Sequence, residues 1–338
     1  MQLKQMLAAG AAVAALSVGS VAMAGETLDA TIERGTLLCG VNTGLAGFGA
    51  PDSEGNYSGF DVDFCRAVAL VILEDADAVE YTPLTSQQRF TALQAGEVDV
   101  LSRNTTWTLT RDTALGLNFT TVTYYDGQGF MVPADLGVTS ALELDGATVC
   151  VQPGTTTELN LADFFRANDM TFEPVVIEGL DQVNDAYFSG RCDVYTTDSS
   201  GLASIRNTVA PVPDDHVILP EIVSKEPLGP VVRHGDDEFF DIVKWTVYAM
   251  IQAEELGITS ENVDEFLDST DPIVQRLLGT TPGMGEALGV RESWAYDVIS
   301  QIGNYGEVYE TYLAPLGLQR GLNALYTDGG MMYAMPLR

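Results

Sequence analysis

Basic residues are scarce in this chain: 16 Lys and Arg stand against 48 Asp and Glu, for a formal net charge of -32. A surface of that sign repels phosphate backbones and anionic bilayers, which argues against nucleic-acid or acidic-membrane binding. Its use is solvation of the folded surface. Histidine is scarcer still, with only His216 and His234, and neither stands in a metal-ligand spacing. The four cysteines form no CxxC pair. GxSxG, HExxH and Walker sequences are missing, and the glycine-rich run from Gly44 to Gly49 lacks dinucleotide spacing. No metal, no cofactor and no enzymatic activity is therefore expected. Long apolar runs are also missing, apart from one at the start.

That run spans Leu7 to Ala22, follows Lys4 and closes on Ala22-Met23-Ala24, the small-x-small grammar of a secretory cleavage site. It is shorter than the ~20 apolar residues a membrane span needs. The expectation is a signal peptide over residues 1–24 and a soluble exported chain from Gly25, with no cysteine there to carry a lipid and no membrane anchor. Outside the cytosol the four cysteines, Cys39, Cys65, Cys150 and Cys192, are free to pair, in any of three ways.

A weak internal duplication narrows the choice. Gly35-Thr-Leu-Leu-Cys39 recurs as Gly146-Ala-Thr-Val-Cys150, and Gly96-Glu-Val-Asp99-Val100 as Gly190-Arg-Cys-Asp193-Val194, in the same order. Two similar lobes are predicted, and the repeat favours Cys39 with Cys65 and Cys150 with Cys192. In the first lobe the pattern predicts a strand at 36–42 and a helix capped by Asp61 that buries Val62, Cys65, Val68, Ala69 and Ile72. A second helix from Ser86 to Gly96 delivers a strand at 98–101. The second lobe repeats this with strands at 147–152, 173–177 and 192–196 and helices from Thr156 and over 181–189. Such alternation predicts parallel, doubly wound α/β sheets. Extended segments at 124–132 and 218–232 bracket the second lobe and predict two hinge crossings, after which a helix over 236–256 returns to the first. The expected division is residues 25–125 and 230–257 in lobe 1, 126–229 in lobe 2 with the hinge strands, and 258–338 in a helical extension packed on lobe 1.

Ligands of open α/β sheets bind beyond the carboxyl ends of strands, so the informative loops follow Asn42, Leu101, Gln152 and Thr196. Arg111 suits a carboxylate, with Thr106 and Thr108 hydroxyls beside it, though a solvated arginine at a helix start reads equally well. Thr155 and Glu158 have capping-box spacing, and the N-H groups from Thr155 to Thr157 would attract an anion or simply start a helix. Asp198 offers a carboxylate to an ammonium. Cation and anion binders facing each other describe a zwitterion.

Five motifs in order, Gly59-Phe-Asp-Val-Asp63, RFxALxxGxxD from Arg89 to Asp99, TxTxxR from Thr106 to Arg111, QxGTTxE from Gln152 to Glu158, and Gly190 to Asp198, resemble the polar amino-acid-binding proteins of bacterial ABC importers. The resemblance covers roughly residues 35 to 256. It implies a two-lobed periplasmic-binding-protein fold that closes on a free L-amino acid, a periplasmic location, a monomer, and the membrane permease subunits of an ABC importer as partner. It also implies roles: Arg111 and Thr106 for the α-carboxylate, Thr156 and the neighbouring Thr155 for its other side, Asn104 and Asp198 for the α-amino group. Leu45 stands where many members carry tyrosine, so the side-chain pocket is open to Leu45, Phe48 and Trp107 as candidates, with packing an equal reading for Trp107. Segments at 102–108, 225–229, 303–309 and 320–333 resemble the broad-specificity branch of that family, which implies tolerance of side chain. The rival reading is a periplasmic enzyme of the same fold, a dehydratase acting on an amino-acid precursor.

Overall fold

The computed structural model describes residues 25–338, and the expected signal peptide lies outside the described residues. From the N-terminus, α1 (Glu26–Arg34) leads into β1 (Leu37–Val41), a hairpin of β2 (Ala50–Pro51) and β3 (Tyr57–Ser58), α2 (Phe60–Leu73), β4 (Val79–Pro83), α3 (Arg89–Ala95), β5 (Val100–Leu101), α4 (Leu109–Ala114) and β6 (Leu117–Phe119). β7 (Tyr124–Asp126) crosses to a second lobe of β8 (Gln128–Pro133), β9 (Ala147–Val151), α5 (Thr156–Ala167), β10 (Phe172–Val176), α6 (Leu180–Phe188), β11 (Val194–Asp198), α7 (Ser199–Thr208) and β12 (His216–Ile218). β13 (Glu226–Leu228) crosses back, β14 (Val231–Arg233) rejoins the first sheet, and α8 (Asp237–Glu255) follows.

The two sheets share one topology. Their orders are β4-β1-β5-β14-β6 and β10-β9-β11-β8-β12, and in each the first three strands are parallel. The fourth runs the other way, which corrects the expectation of purely parallel sheets. The cause lies in the chain path. β8 and β14 are each the first strand after a hinge crossing, so they enter from the cleft side, whereas helix-fed strands enter from the opposite end. The crossings β7 and β13 pair antiparallel with Asp126 opposite Glu226. At the end of β13, Gly229 lies so close to the other crossing that a Cβ there would sit 1.9 Å from the carbonyl oxygen of Thr121.

α2 begins at Phe60, two residues earlier than a cap at Asp61 would start it. Gly59 at φ 142° precedes it, and a side chain there would strike the carbonyl of Phe48. The loop carbonyls of Gly47 and Phe48 accept from the N-H groups of Phe60 and Asp61. Asp61 is therefore released from capping, and its carboxylate serves the site instead. Disulfides join Cys39 to Cys65 and Cys150 to Cys192, one in each lobe as the duplication favours.

The C-terminal segment adds α9 (Pro272–Leu277), α10 (Met284–Leu288), α11 (Trp294–Gln301) and α12 (Tyr305–Tyr312). α11 and α12 pack on α2 and α8 through Trp294, Val298, Ile299, Tyr305, Val308 and Tyr309, all buried. Each such side chain contributes about 1.5–3 kcal/mol by leaving water. The segment also grips the hinge: the Tyr305 hydroxyl donates to Thr123 O (2.8 Å), and Asn323 brackets Tyr125, accepting from its N-H (2.6 Å) and donating to its carbonyl (3.1 Å). Farther on, Asn207 of α7 donates to Leu316 O (2.6 Å), so the segment touches the second lobe as well. Among the described residues, no helix is long and apolar enough to cross a membrane.

Candidate functional site

The loops beyond β1, β5, β9 and β11 meet across the cleft and enclose a cavity. From the first lobe Leu45, Arg89, Arg103, Asn104 and Thr106 line it, and from the second Thr155, Thr156, Tyr195 and Asp198. The lobes are closed on each other: Thr85 Oγ1 donates to Glu178 Oε1 (2.7 Å), and Ser204 Oγ donates to Ala46 O (2.7 Å).

Local chemistry fixes each wall. Asn104 holds a left-handed backbone, φ 34°, which asparagine tolerates better than most residues. The Asp61 carboxylate accepts from its N-H at 2.6 Å, and Asn42 Nδ2 donates to its side-chain oxygen at 2.9 Å. On the other side Thr155 caps α5 by accepting from Glu158 N (3.0 Å), while the Glu158 carboxylate reaches back one residue farther than a capping box requires, to Gly154 N. Thr156 and Thr157 are thus the first residues of a helix whose free N-H groups form the positive, anion-attracting end of its dipole.

Several sequence-predicted residues are placed elsewhere. Arg111 is buried but does not line the cavity: its Nη1 donates to Thr106 O (2.9 Å) and its Nη2 to Gly154 O (3.4 Å), so it spans the seam between lobes. Phe48 is 1% exposed and packs edge-on against Phe60 and Tyr124. Trp107 is 38% exposed and stacks on Phe119 at 5.6 Å. Neither reaches the cavity, because the glycine-rich loop turns Phe48 into the core and the β6 side claims Trp107. Leu45 alone of the three lines it.

Other residues reach the site without having been singled out as ligands. Glu226 on the hinge ribbon takes hydroxyl bonds from Thr106 of one lobe and Thr156 of the other, both at 2.7 Å, and further bonds from Asn160 (2.8 Å) and Ser224 (2.5 Å). Arg89 and Arg103 are 3% exposed, and Arg89 Nε with Arg103 Nε and Nη1 lack any hydrogen-bond partner. A signal was available: in a chain so poor in bases, Arg89, Arg103 and Arg111 fall within the single stretch from α3 through β5 to α4. The Tyr195 hydroxyl is likewise buried and unpartnered.

Charge is separated across the cavity. Burial, and then repulsion from Asp126 and Glu226, hold the Asp198 carboxyl well above its usual range, with Arg89 and Arg111 opposing. Burial also lifts Asp126 to about 6 despite bonds from Ser200 and Gly127. Opposite them, burial lowers Arg103 to about 10, with Asp61 opposing and Arg111 reinforcing. Arg89 is lowered further by burial and by its two arginine neighbours. The cavity therefore presents an acid pole and a basic pole, neither held in an ion pair within 4 Å among the described residues, an arrangement a zwitterion would complement. Among the described residues no cluster of metal-ligating side chains is found.

Comparison with known proteins gives a consistent assignment. The chain is 58% identical to the general L-amino acid-binding periplasmic protein AapJ of Rhizobium johnstonii, over 99% of both chains. It is 56% identical to the glutamate/glutamine/aspartate/asparagine-binding protein BztA of Rhodobacter capsulatus, over 97% of both. A solved ABC transporter periplasmic binding protein from Brucella ovis with glutathione bound is similar at a TM-score of 0.90 and 54% identity, covering 92% of this chain and 99% of that one. The family model for bacterial extracellular solute-binding proteins, family 3, matches residues 37–262, and the chain belongs to that family.

Proposed function

We propose that this protein is the periplasmic solute-binding component of an ABC amino-acid importer. It captures free L-amino acids by closing residues 126–229 against residues 25–125 and 230–257, then presents them to the membrane permease subunits. The observation that carries the reading is the pair of buried poles of opposite charge at the cleft between lobes. Asp198 receives the α-ammonium. Asn104 assists it, and the α-carboxylate lies toward the seam at Thr106, Thr155, Thr156 and the start of α5, where Arg111 spans the two lobes between the carbonyls of Thr106 and Gly154. Thr106 and Thr156 give their hydroxyl protons to Glu226 in the closed form, so the carboxylate is held chiefly by N-H donors.

These poles recognise what all amino acids share, which supports broad specificity. The printed descriptions of the relatives, one for amino acids in general and one for four of them, agree with such breadth. Calorimetric titration of the purified protein with acidic, neutral and basic L-amino acids tests the reading, with mass spectrometry of the recovered ligand. Binding across classes with unchanged ligand is the expected result. Chemical conversion of the ligand would favour the enzymatic alternative, and binding of a single class would end the claim of breadth.

A further inference from the structure

The start of α7 is capped from outside its own helix. Asp198 stands at the N-cap position, where an aspartate ordinarily accepts from the N-H groups of the first turn, but it makes no such bond and lines the cavity instead. The hinge crossing supplies the cap. Gly127 O accepts from Ser199 N at 2.8 Å, and one oxygen of the Asp126 carboxylate accepts from Ser200 N at 3.3 Å and from the Ser200 hydroxyl. The other oxygen takes the N-H of Gly127 at 2.8 Å. Only glycine allows this approach, since a Cβ on Gly127 would sit 2.2 Å from the side chain of Ile222.

Two carboxylates therefore share one helix start. Around Asp126 stand Asp198 at the end of β11, Glu226 opposite on β13, and the phenols of Tyr124 on β7 and Tyr309 on α12, which burial keeps protonated. Asp198 in turn faces Asp126, Glu226, Arg89, Arg103 and Arg111. Burial and then the charge of Asp126 hold the proton on Asp198. Burial also raises Asp126, with Glu226 reinforcing and the Ser200 and Gly127 bonds opposing. Among the described residues neither carboxylate is in an ion pair within 4 Å. A cation that arrives at Asp198 is thus drawn by Asp126 as well, and it relieves the repulsion between the two acids.

We infer that Asp126 is a positioning residue for ligand capture: it takes over the cap of α7, which leaves Asp198 free for the ligand's ammonium, and its charge strengthens the demand of Asp198 for a cation. The inference rests on the proposed amino-acid-binding reading. It adds to that reading a second ionisable group, placed on the hinge crossing and outside the cavity wall.

The test titrates L-glutamine, whose side chain does not ionise, into the unaltered protein and into Asp126→Asn by calorimetry over a series of pH values, in buffers of different ionisation enthalpy. The amide keeps an oxygen for Ser200, so the cap survives while the charge is lost. At the plateau of the pH profile Asp126→Asn should bind about tenfold more weakly. Its rise of affinity should move to lower pH, because Asp198 loses the neighbour that holds its proton, and the difference between the two proteins should shrink toward the acid end. In the unaltered protein the protons released per ligand should exceed one at some pH, since an ammonium favours the charged form of both carboxyls. In Asp126→Asn they should not. A variant that melts earlier but keeps the pH profile and the proton count would reduce Asp126 to a cap and overturn the inference. A release that never exceeds one proton in the unaltered protein also overturns it, and that reading needs no substitution, so it stands even where Asp126→Asn fails to fold. If the unaltered protein binds no amino acid at all, the proposed function falls, and this inference with it.

Discussion

Asp198 is the residue on which every ligand should depend, because the α-ammonium is common to all amino acids. Its carboxyl is held well above the usual range by burial and by two neighbouring acids, so it keeps its proton to higher pH than an exposed aspartate does. An ammonium favours the charged form. Where the ligand-free carboxyl is still protonated, binding should therefore release a proton, and affinity should rise with pH over that range. Calorimetry in buffers of different ionisation enthalpy reads the proton directly, and an affinity independent of pH over that range would contradict the assignment. Asp198→Asn should weaken acidic, neutral and basic ligands together, by about 2 to 5 kcal/mol for a buried charge that loses its partner. Its remaining affinity should lose most of the pH dependence. A loss confined to one ligand class would instead place Asp198 at the side-chain end.

At the scale of elements, the hinge ribbon does more than connect. Glu226 sits on β13 and collects one threonine hydroxyl from each lobe, so the strand about which the lobes turn also holds the seam shut. Glu226→Ala should leave these hydroxyls and the Asn160 amide without their acceptor and destabilise the closed form by about 3 kcal/mol, a few charge-assisted bonds less what water recovers. The expected readings are a lower melting temperature and a larger scattering radius without ligand. An unchanged radius would show that closure rests on other contacts. Much of this architecture was legible in the sequence. The duplicated Gly-x-x-x-Cys strands mark β1 and β9, the helix stop at Gly96 is where α3 ends, and Thr155 caps α5. The reversed strands β8 and β14 were not legible, because strand direction depends on where the chain re-enters the sheet and not on local pattern. The site was half legible. Asn104, Thr106, Thr155, Thr156 and Asp198 stand in polar loops where sheet topology leads one to look. Arg89 reads as one residue in the first turn of the amphipathic helix expected from Ser86, and Glu226 as a residue of an extended connector. Only the packing of distant segments gives those two a role. Phe48 and Trp107 carried the opposite error, since an aromatic in a loop near a site does not declare which way its ring turns.

Over the whole molecule, stability is distributed by lobe. The Cys150–Cys192 bridge closes a segment of sequence separation 42, and chain entropy alone assigns such a loop about 4 kcal/mol. Cys150→Ser combined with Cys192→Ser should lower the melting temperature while leaving the first lobe's bridge intact in peptide maps. Equal melting with and without the bridge would mean the second lobe gains nothing from it. The contact between Asn207 and Leu316 has a different use. Leu316 belongs to the segment fixed on α2 and α8, and Asn207 to a helix of the second lobe, so their 2.6 Å bond spans two bodies that separate when the cleft opens. The protein is in this respect a gauge of its own occupancy. Donor and acceptor dyes at the neighbouring exposed positions Thr208 and Pro315 would turn that gap into an optical signal. Energy transfer should rise as amino acid is added and fall as it is dialysed away, and a transfer efficiency indifferent to saturating glutamate would mean that this gap stays shut throughout.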